Sequence, residues 1–245
     1  MVVPLLTMGF DVDFHYAMGA SAIAVIATSS GAASAYIKEG ITNMRIGMFL
    51  EIATTVGAII GAYTAVYMKV NVISIIFGLL LLFSAGMSVS KKLANEEHKQ
   101  PGPWALRFKL IGSYPTAKGS NFYTARNIIG GFFMMLFAGV IAGLLGIGSG
   151  ALKVIAMDNI MRLPFKVSTT TSNFMIGVTA SVSAIIYFQK GYIIPDIAAP
   201  VMLGVLIGAM AGAKLLIKVN TKWLRRGFAI VITCVALIMI NKGLK

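Results

Sequence analysis

The chain has 245 residues, of which 58% are hydrophobic and only 12% are charged. Soluble domains carry about 25% charged residues, so this composition excludes an ordinary soluble enzyme and indicates a polytopic membrane protein. Lysine and arginine number 21 against 8 acidic residues, which gives a net charge of +13. In a soluble protein that charge would suggest nucleic-acid binding, so its distribution along the chain has to be considered.

Apolar blocks set the order of the predicted elements, because a transmembrane helix needs about 20 consecutive apolar residues. We predict seven such helices, at residues 16–37, 44–68, 71–88, 127–144, 167–188, 195–217 and 223–241. Residues 1–9 are apolar but too short to span. Residues 145–163 are apolar, broken by glycines and interrupted by Lys153 and Asp158. Hydrophilic residues 89–126 divide the chain into halves.

The two halves repeat one another at a fixed offset of 151 residues, without a gap. Matching pairs include Phe14 with Phe165, Ser21 with Ser172, Thr28 with Thr179, Tyr36 with Tyr187, Gly40 with Gly191, Gly57 with Gly208 and Gly61 with Gly212. Coincident blocks in one register predict an internal duplication. We therefore assign residues 1–88 to a first repeat, 89–126 to a connecting loop and 127–245 to a second repeat.

Basic residues predict how the halves are oriented, because short cytoplasmic loops are enriched in lysine and arginine. The basic segment 89–126 is assigned to the cytoplasm. If residues 145–163 do not cross the membrane, the halves are parallel and, with Lys153 left out of the count, 12 basic residues lie inside against 8 outside. If they cross as a broken helix, the halves are inverted and the count is 16 inside against 4 outside, with Lys153 within the membrane. The sequence thus predicts an all-helical protein of two inverted repeats, and the charge no longer argues for nucleic acid.

The broken segment carries the candidate substrate site. In inverted-repeat transporters, broken helices meet near the midplane and bind substrate there. Gly146, Gly148, Ser149 and Gly150 would offer free N–H groups and a hydroxyl at a helix start, which suits an anion. A buried lysine marks a pathway, so we add Lys153. Two alternatives stay open at this point: the glycines could only permit close helix packing, and Lys153 could neutralise Asp158.

Polar residues within the spans extend this prediction. Ser21, Thr171, Ser172 and Asn173 lie beside the predicted loops and are assigned to substrate contact. The deeper residues Thr28, Ser30, Thr179 and Ser181 are assigned to packing, because serine and threonine often bond the carbonyl four residues back. Glu51 could carry a coupling proton. Its repeat mate is Met202, so a pairing with a neighbouring helix is an equal alternative.

These residues also carry a family resemblance. The run GLLGIGSGALKV, a span opening STTTSN, Tyr187 followed by Gly191, and GAMAGAK closing the next span resemble the TauE/SafE family of sulfite exporters, or DUF81. The resemblance implies a bacterial inner-membrane carrier that exports or imports sulfite, sulfonates or other small sulfur-containing anions. The sequence departs from the family pattern where Ser149 replaces a glycine, Ile155 a proline, and Ser168 and Thr170 an alanine and a glycine. Met1 aligns with Leu152, so the first helix of the first repeat is missing from the alignment. We expect an upstream segment that encodes it, and the alternative is a protein with one complete half-site and one improvised half-site.

Other functional classes are weighed against this carrier. The two histidines, His15 and His98, lie at a span edge and in the loop, so neither is expected near a buried serine and no catalysis is predicted. A single cysteine, Cys234, excludes an internal disulfide, and no metal or cofactor site is predicted. The alternative is a non-transporting binding or assembly subunit that acts through the basic, aromatic loop 89–126. A poorly ordered linker is the simpler interpretation of that loop. The expected partners are the bilayer, a small sulfur anion and, as an open option, further copies of the chain.

Overall fold

The computed structural model describes residues 2–38, 42–89, 110–116, 119–216 and 221–244. Its helices are α1 (Val2–Gly9), α2 (Phe14–Lys38), α3 (Met44–Tyr67), α4 (Val70–Val89), α5 (Ile128–Leu145), α6 (Gly150–Ile155), α7 (Phe165–Gln189), α8 (Pro195–Leu216) and α9 (Thr221–Leu244). A π-helical turn, Ala156–Ile160, continues α6. Two strands, β1 (Ile111–Thr116) and β2 (Gly119–Thr124), lie between α4 and α5.

Each predicted span coincides with one helix, and the bounds agree within three residues. The bounds also recur at the predicted offset. Helix α2 covers residues 14–38, and adding 151 gives 165–189, which are the limits of α7. By the same offset, the first residues of α3 and α4 correspond to the first residues of α8 and α9. The two halves therefore share one order of helices. That they lie inverted in the membrane stays a prediction.

The exposed side chains of several helices are large and apolar, as expected for helices that face lipid. Among the described helices, α3, α5 and α7 are long and apolar enough to cross a membrane. Their outer faces present large apolar side chains, including Met48, Ile52, Phe133, Phe137, Ile185 and Phe188. Phe188 is 70% exposed whereas Lys153 is 0% exposed, an arrangement that suits a hydrocarbon surround and not water. The chain is a multi-pass membrane protein. The full count of seven spans stays a prediction.

Repeat-related helices pack on one another. Helix α2 packs against α7, and α4 packs against α9. Helix α3 contacts α7, and its counterpart α8 contacts α2, so the same crossed contact occurs in both halves. Candidate residues from the two halves are thereby brought into one interior.

Glycines set the distance between α3 and α5. A Cβ built at Gly57 would lie 2.2 Å from the Leu136 carbonyl oxygen, and one at Gly61 would lie 2.1 Å from that of Val140. Any side chain there forces the helices apart, so the glycines allow the backbones to touch, as small residues do in membrane helices. Gly208, the repeat mate of Gly57, has no such neighbour within 4 Å.

The segment predicted to be a poorly ordered linker is in part a β-hairpin, which corrects that expectation. Strands β1 and β2 pair antiparallel with Ile111 opposite Thr124, and Leu110 and Ala125 are buried at the base. The strands are rich in β-branched and aromatic residues, which favour extended structure. The basic residues Lys91, Lys92, Lys99, Arg107, Lys109 and Lys118 of this loop lie outside the described residues.

The hairpin is anchored to the start of α3. The side-chain amide of Asn43 donates to the Tyr123 hydroxyl at 2.8 Å, and its oxygen caps α3 by accepting from the Ile46 N–H at 3.0 Å. Burial raises the pKa of the Tyr123 phenol, and the bond from Asn43 only partly offsets that shift. The phenol therefore stays protonated near neutral pH.

Candidate functional site

The break predicted within residues 145–163 begins where α5 ends at Leu145. Gly146 and Gly148 have φ of +64° and +74°, and Ser149 has φ of +42°. These values lie in the left-handed region that glycine enters without strain and other residues rarely adopt. We call residues 146–150 the glycine turn, and its last residue starts α6. The chain thus reverses through backbone that cannot be helical, as the sequence predicted.

The glycine turn is closely packed. A Cβ at Gly146 would lie 2.8 Å from the Met18 carbonyl oxygen, and one at Gly148 would lie 2.7 Å from Ile176 Cγ2 and 3.4 Å from Val25. The glycines therefore break the helix and permit close packing, and their binding of an anion stays a prediction. Ser21 is buried and lies between Met18 and Val25 along α2, at helical spacing from both. It belongs to the helix that covers the turn.

Two serines hold the turn in place. The Ser149 hydroxyl donates to the Ala138 carbonyl of α5 at 2.6 Å. The Ser172 hydroxyl, from α7, donates to the Gly150 carbonyl at 3.2 Å. The structure therefore brings Ser172 to the turn, where the sequence placed it. In this conformation both hydroxyls are used within the protein.

The two neighbours of Ser172 engage other parts of the protein. The Thr171 hydroxyl accepts from the Asn43 N–H at 3.1 Å, so it faces the connection between α2 and α3. The carbonyl of Asn173 accepts from the Ser29 hydroxyl of α2. Neither contact reaches the glycine turn. Their role in substrate contact stays a proposal, and in this conformation they tie α7 to the first half.

Lys153 lies deep in the interior, three residues after the glycine turn. Its side chain is fully buried. The ammonium donates to the Met175 carbonyl at 3.0 Å and to the Thr179 hydroxyl, and it lies 3.8 Å from Glu51 Oε2. Its carboxylate partner is thus Glu51 of α3 and not Asp158, whose Oδ1 has no hydrogen-bond partner in the described part of the chain.

Glu51 completes this cluster from the first half of the chain. It is 6% exposed, and its Oε1 accepts from the Thr179 hydroxyl at 2.6 Å. Its Oε2 has no hydrogen-bond partner among the described residues. Glu51 therefore does pair with a neighbouring helix, and its role in proton coupling stays a prediction. We name Glu51, Lys153 and Thr179 the buried charge cluster, and its members come from α3, α6 and α7.

Thr179 is the residue that the sequence analysis missed. It was assigned to packing together with Thr28, Ser30 and Ser181, and those three do bond carbonyls of their own helices. Thr179 also bonds the carbonyl of Met175, but its hydroxyl touches both charged groups as well. One signal was available: Thr179 follows Ser172 by seven residues, which places the two on one face of α7.

A basic cavity opens near the end of the π-helical turn. It is a shallow, open cavity of about 670 Å³, lined by Arg126, Asn127, Asn159, Ile160 and Arg162. Both arginines belong to the set predicted to face the cytoplasm. Two guanidinium groups beside two amides form a surface that attracts anions.

No group of three or more acidic, histidine or cysteine side chains that could hold a metal occurs within the described part of the chain. The buried charge cluster lies inside the protein, and the glycine turn lies beside it on the same face of α7.

The chain is similar to proteins described as probable membrane transporters. A family model described as sulfite exporter TauE/SafE matches residues 1–239. The probable membrane transporter protein YunE of Bacillus subtilis (strain 168) is 26% identical over 237 residues, which is 96% of this chain and 84% of that protein. The probable membrane transporter protein YdhB of the same strain is 26% identical over 213 residues, 87% of this chain and 79% of that protein. No solved structure matches the chain.

Proposed function

Because the chain belongs to the sulfite exporter TauE/SafE family, we propose that it carries small sulfur-containing anions, such as sulfite or organosulfonates, across the bacterial inner membrane. Membership of this family makes the chain a membrane transporter. The sulfur anion and alternating access as the mechanism are our proposal. The anion binds between the glycine turn and the helices that open at Ser21 and Ser172, under the influence of Lys153.

The observation that carries this proposal is the buried position of Lys153. Burying an ammonium in a membrane protein is costly, and such residues usually serve a transport pathway. The only other buried charge among the described residues is Glu51. A buried cation close to the glycine turn suits a small oxyanion, because the N–H and O–H donors of the turn would replace the hydration of the anion once the Ser149 and Ser172 hydroxyls leave their carbonyl partners.

The basic cavity supports the same substrate class. Asn159 and Ile160, in its wall, follow Lys153 by six and seven residues, which is about 10 Å along a helix at 1.5 Å per residue. Arginines at the mouth of a cleft raise the local concentration of anions. The cavity would thus collect the anion on one side of the buried cluster.

The position of the site between the halves supports alternating access. The glycine turn belongs to the second half, and the α2 residues that cover it belong to the first. The charge cluster also joins the halves, through Glu51 on one side and Lys153 on the other. Movement of one half against the other would therefore open the glycine turn while the packing within each half stays the same.

A binding screen of small oxyanions against the purified full chain tests this function. We expect sulfite and methanesulfonate to bind, and we expect the Glu51→Gln/Lys153→Met variant, which removes both charges together, to lose that binding. Thr28→Val is the matched control, because Thr28 is the repeat mate of Thr179 and bonds only its own helix in the described contacts. If wild type binds neither anion, the proposal is wrong and a binding or assembly subunit becomes the better account.

A further inference from the structure

The buried charge cluster is a closed arrangement in which the cation has a partner before any substrate arrives. Lys153 is 0% and Glu51 is 8% exposed at the side chain, and 3.8 Å separates their charged atoms. The Thr179 hydroxyl lies between them, since it accepts from the ammonium and donates to Glu51 Oε1. The net charge of the pair is zero. An incoming anion would therefore meet a lysine that is already neutralised.

We propose that Glu51 is a proton site coupled to anion binding at Lys153, so that the carrier takes up one proton with each monovalent anion. This inference rests on the proposed function. The proton binds the carboxylate at Oε2, the oxygen that has no hydrogen-bond partner, and forms a neutral carboxylic acid. The ammonium keeps its three protons and becomes free to attract the anion.

Charge arithmetic gives the sign of the coupling. The pair alone has a charge of zero, the protonated pair has +1, and the protonated pair with a monovalent anion again has zero. An unpaired buried charge is strongly unfavourable, so the states with both ligands or with neither are favoured over the states with one. The proton and the anion therefore strengthen each other's binding by the same factor.

The remaining titratable groups on the packed elements lie apart from the pair. Helix α3 also carries Arg45, Tyr63 and Tyr67, α7 carries Lys166 and Tyr187, the π-helical turn carries Asp158, and α5 carries none. Helix α2 carries His15 and Tyr16 in the part whose side chains the structure describes, and Tyr36 and Lys38 follow beyond that part. Arg45 precedes Glu51 by six residues, which is about 9 Å along the helix. The pair contacts its own members, Thr179, the Met175 carbonyl and the Thr54 hydroxyl, which also donates to the Glu51 backbone carbonyl at 3.1 Å. Glu51 is thus the carboxylate that faces Lys153.

The location of the pair also connects the proton to the transport movement. Glu51 belongs to the first half of the chain, whereas Lys153 and Thr179 belong to the second. Protonation of Glu51 removes the ionic part of this connection. Protonation leaves the hydrogen bond between the Thr179 hydroxyl and Glu51 Oε1 in place, because the carbonyl oxygen of a carboxylic acid still accepts. The proton would thereby loosen the contact between the halves while the anion replaces the lost charge.

Calorimetric titration of methanesulfonate into the purified full chain tests the coupling. Methanesulfonate keeps its single charge from mildly acidic to mildly alkaline pH, so any proton uptake belongs to the protein. Titrations in two buffers with different ionisation enthalpies count the protons. We expect about one proton per bound anion and an affinity that tightens about tenfold for each unit by which the pH falls, in the range where free Glu51 is ionised.

Substitutions at Glu51 assign the proton. Glu51→Gln mimics the protonated side chain, so it should bind methanesulfonate with no proton uptake and with an affinity independent of pH. Glu51→Asp keeps a carboxylate and should keep both effects, and Thr28→Val should behave as wild type. Size-exclusion chromatography and thermal unfolding establish that each variant is folded.

The outcomes separate the two proposals. If Glu51→Gln shows the same dependence on pH and the same proton uptake as wild type, the proton site is elsewhere and the inference is overturned, while the anion carrier stands. If wild type binds methanesulfonate without proton uptake, the coupling is likewise overturned. If wild type binds neither methanesulfonate nor sulfite, both the carrier and the coupling are overturned.

Discussion

Removal of one member of the buried pair should destabilise the protein far more than removal of both. Lys153→Met leaves the Glu51 carboxylate buried, with one hydrogen bond from Thr179 and no cation at 3.8 Å. Loss of one partner of a buried ion pair costs about 3–5 kcal/mol. The double variant Glu51→Gln/Lys153→Met replaces the pair with neutral side chains of similar size. Such replacements are often neutral, so we expect it to lie within about 1 kcal/mol of wild type.

Thermal unfolding of purified protein in detergent measures this difference. For a chain of about 250 residues, 1 kcal/mol shifts Tm by about 2–4 °C, so Lys153→Met should lower Tm by about 6–20 °C. The double variant should recover most of that loss. Thr28→Val supplies the control for a half-buried hydroxyl that bonds only carbonyls of its own helix in the described contacts. If the effects of the two single substitutions simply add in the double variant, Glu51 and Lys153 are not energetically paired and the reasoning fails.

Three further predictions concern the turn, the helix packing and the hairpin. Ser149→Ala keeps the left-handed backbone but removes the hydrogen bond to α5, so it should lower the free energy of unfolding by about 1 kcal/mol. Ser149→Gly removes the same bond but also relieves the backbone strain, so its free energy of unfolding should be close to that of wild type. Thermal unfolding of both variants checks this, and equal losses would contradict it. Gly57→Ala forces the backbones of α3 and α5 apart and should lower the free energy of unfolding by about 1–3 kcal/mol, whereas Gly208→Ala, in open space, should leave it unchanged. Chemical denaturation compares the two variants, and equal stability would argue against the packing of α3 on α5. Tyr123→Phe removes the bond to Asn43 and should cost about 1 kcal/mol and speed proteolysis within the hairpin; an unchanged cleavage rate would show that the bond does not anchor it.

The positions of the helices could be predicted because two independent sequence signals agree. Apolar length located each span, and the offset of 151 residues then related α2 to α7 with identical bounds. The Tyr-then-Gly pair has a local cause in the second copy, whereas Gly40 of the first copy lies outside the described residues. At the end of α7 the Tyr192 N–H donates to the Tyr187 carbonyl at 2.9 Å and the Gly191 N–H donates to the Phe188 carbonyl at 3.0 Å, a helix-ending arrangement that needs the left-handed φ of Gly191.

The glycine turn was predictable in place but not in detail. Its glycines indicated a break, and the turn does use left-handed backbone at Gly146 and Gly148. The sequence did not indicate that Ser149 would adopt the same conformation. The hydrogen bond from the Ser149 hydroxyl to the Ala138 carbonyl offsets the backbone strain at Ser149, and the spacing of residues in the sequence does not reveal that bond.

The partner of Lys153 could not be predicted, because the contact is between distant parts of the chain. Glu51 and Lys153 are separated by 102 residues (153 − 51), and the repeat pairs Glu51 with Met202, so neither proximity nor symmetry connects the two. Asp158 was the nearer carboxylate in sequence. Tertiary packing of α3 on α7 decides between them, and it also gives Thr179 a role that helical spacing alone assigned to packing. The hairpin was missed for a different reason. The basic residues around it gave the segment the composition of a linker and hid its β-forming residues.

Uptake of labelled sulfite and methanesulfonate into vesicles that contain the purified chain tests the central claim most directly. The account predicts that wild type accumulates at least one of these anions, that Glu51→Gln/Lys153→Met does not, and that Thr28→Val matches wild type. Flux of neither anion through wild type, in vesicles where the protein is folded, would contradict the assignment of this chain as a carrier of small sulfur anions.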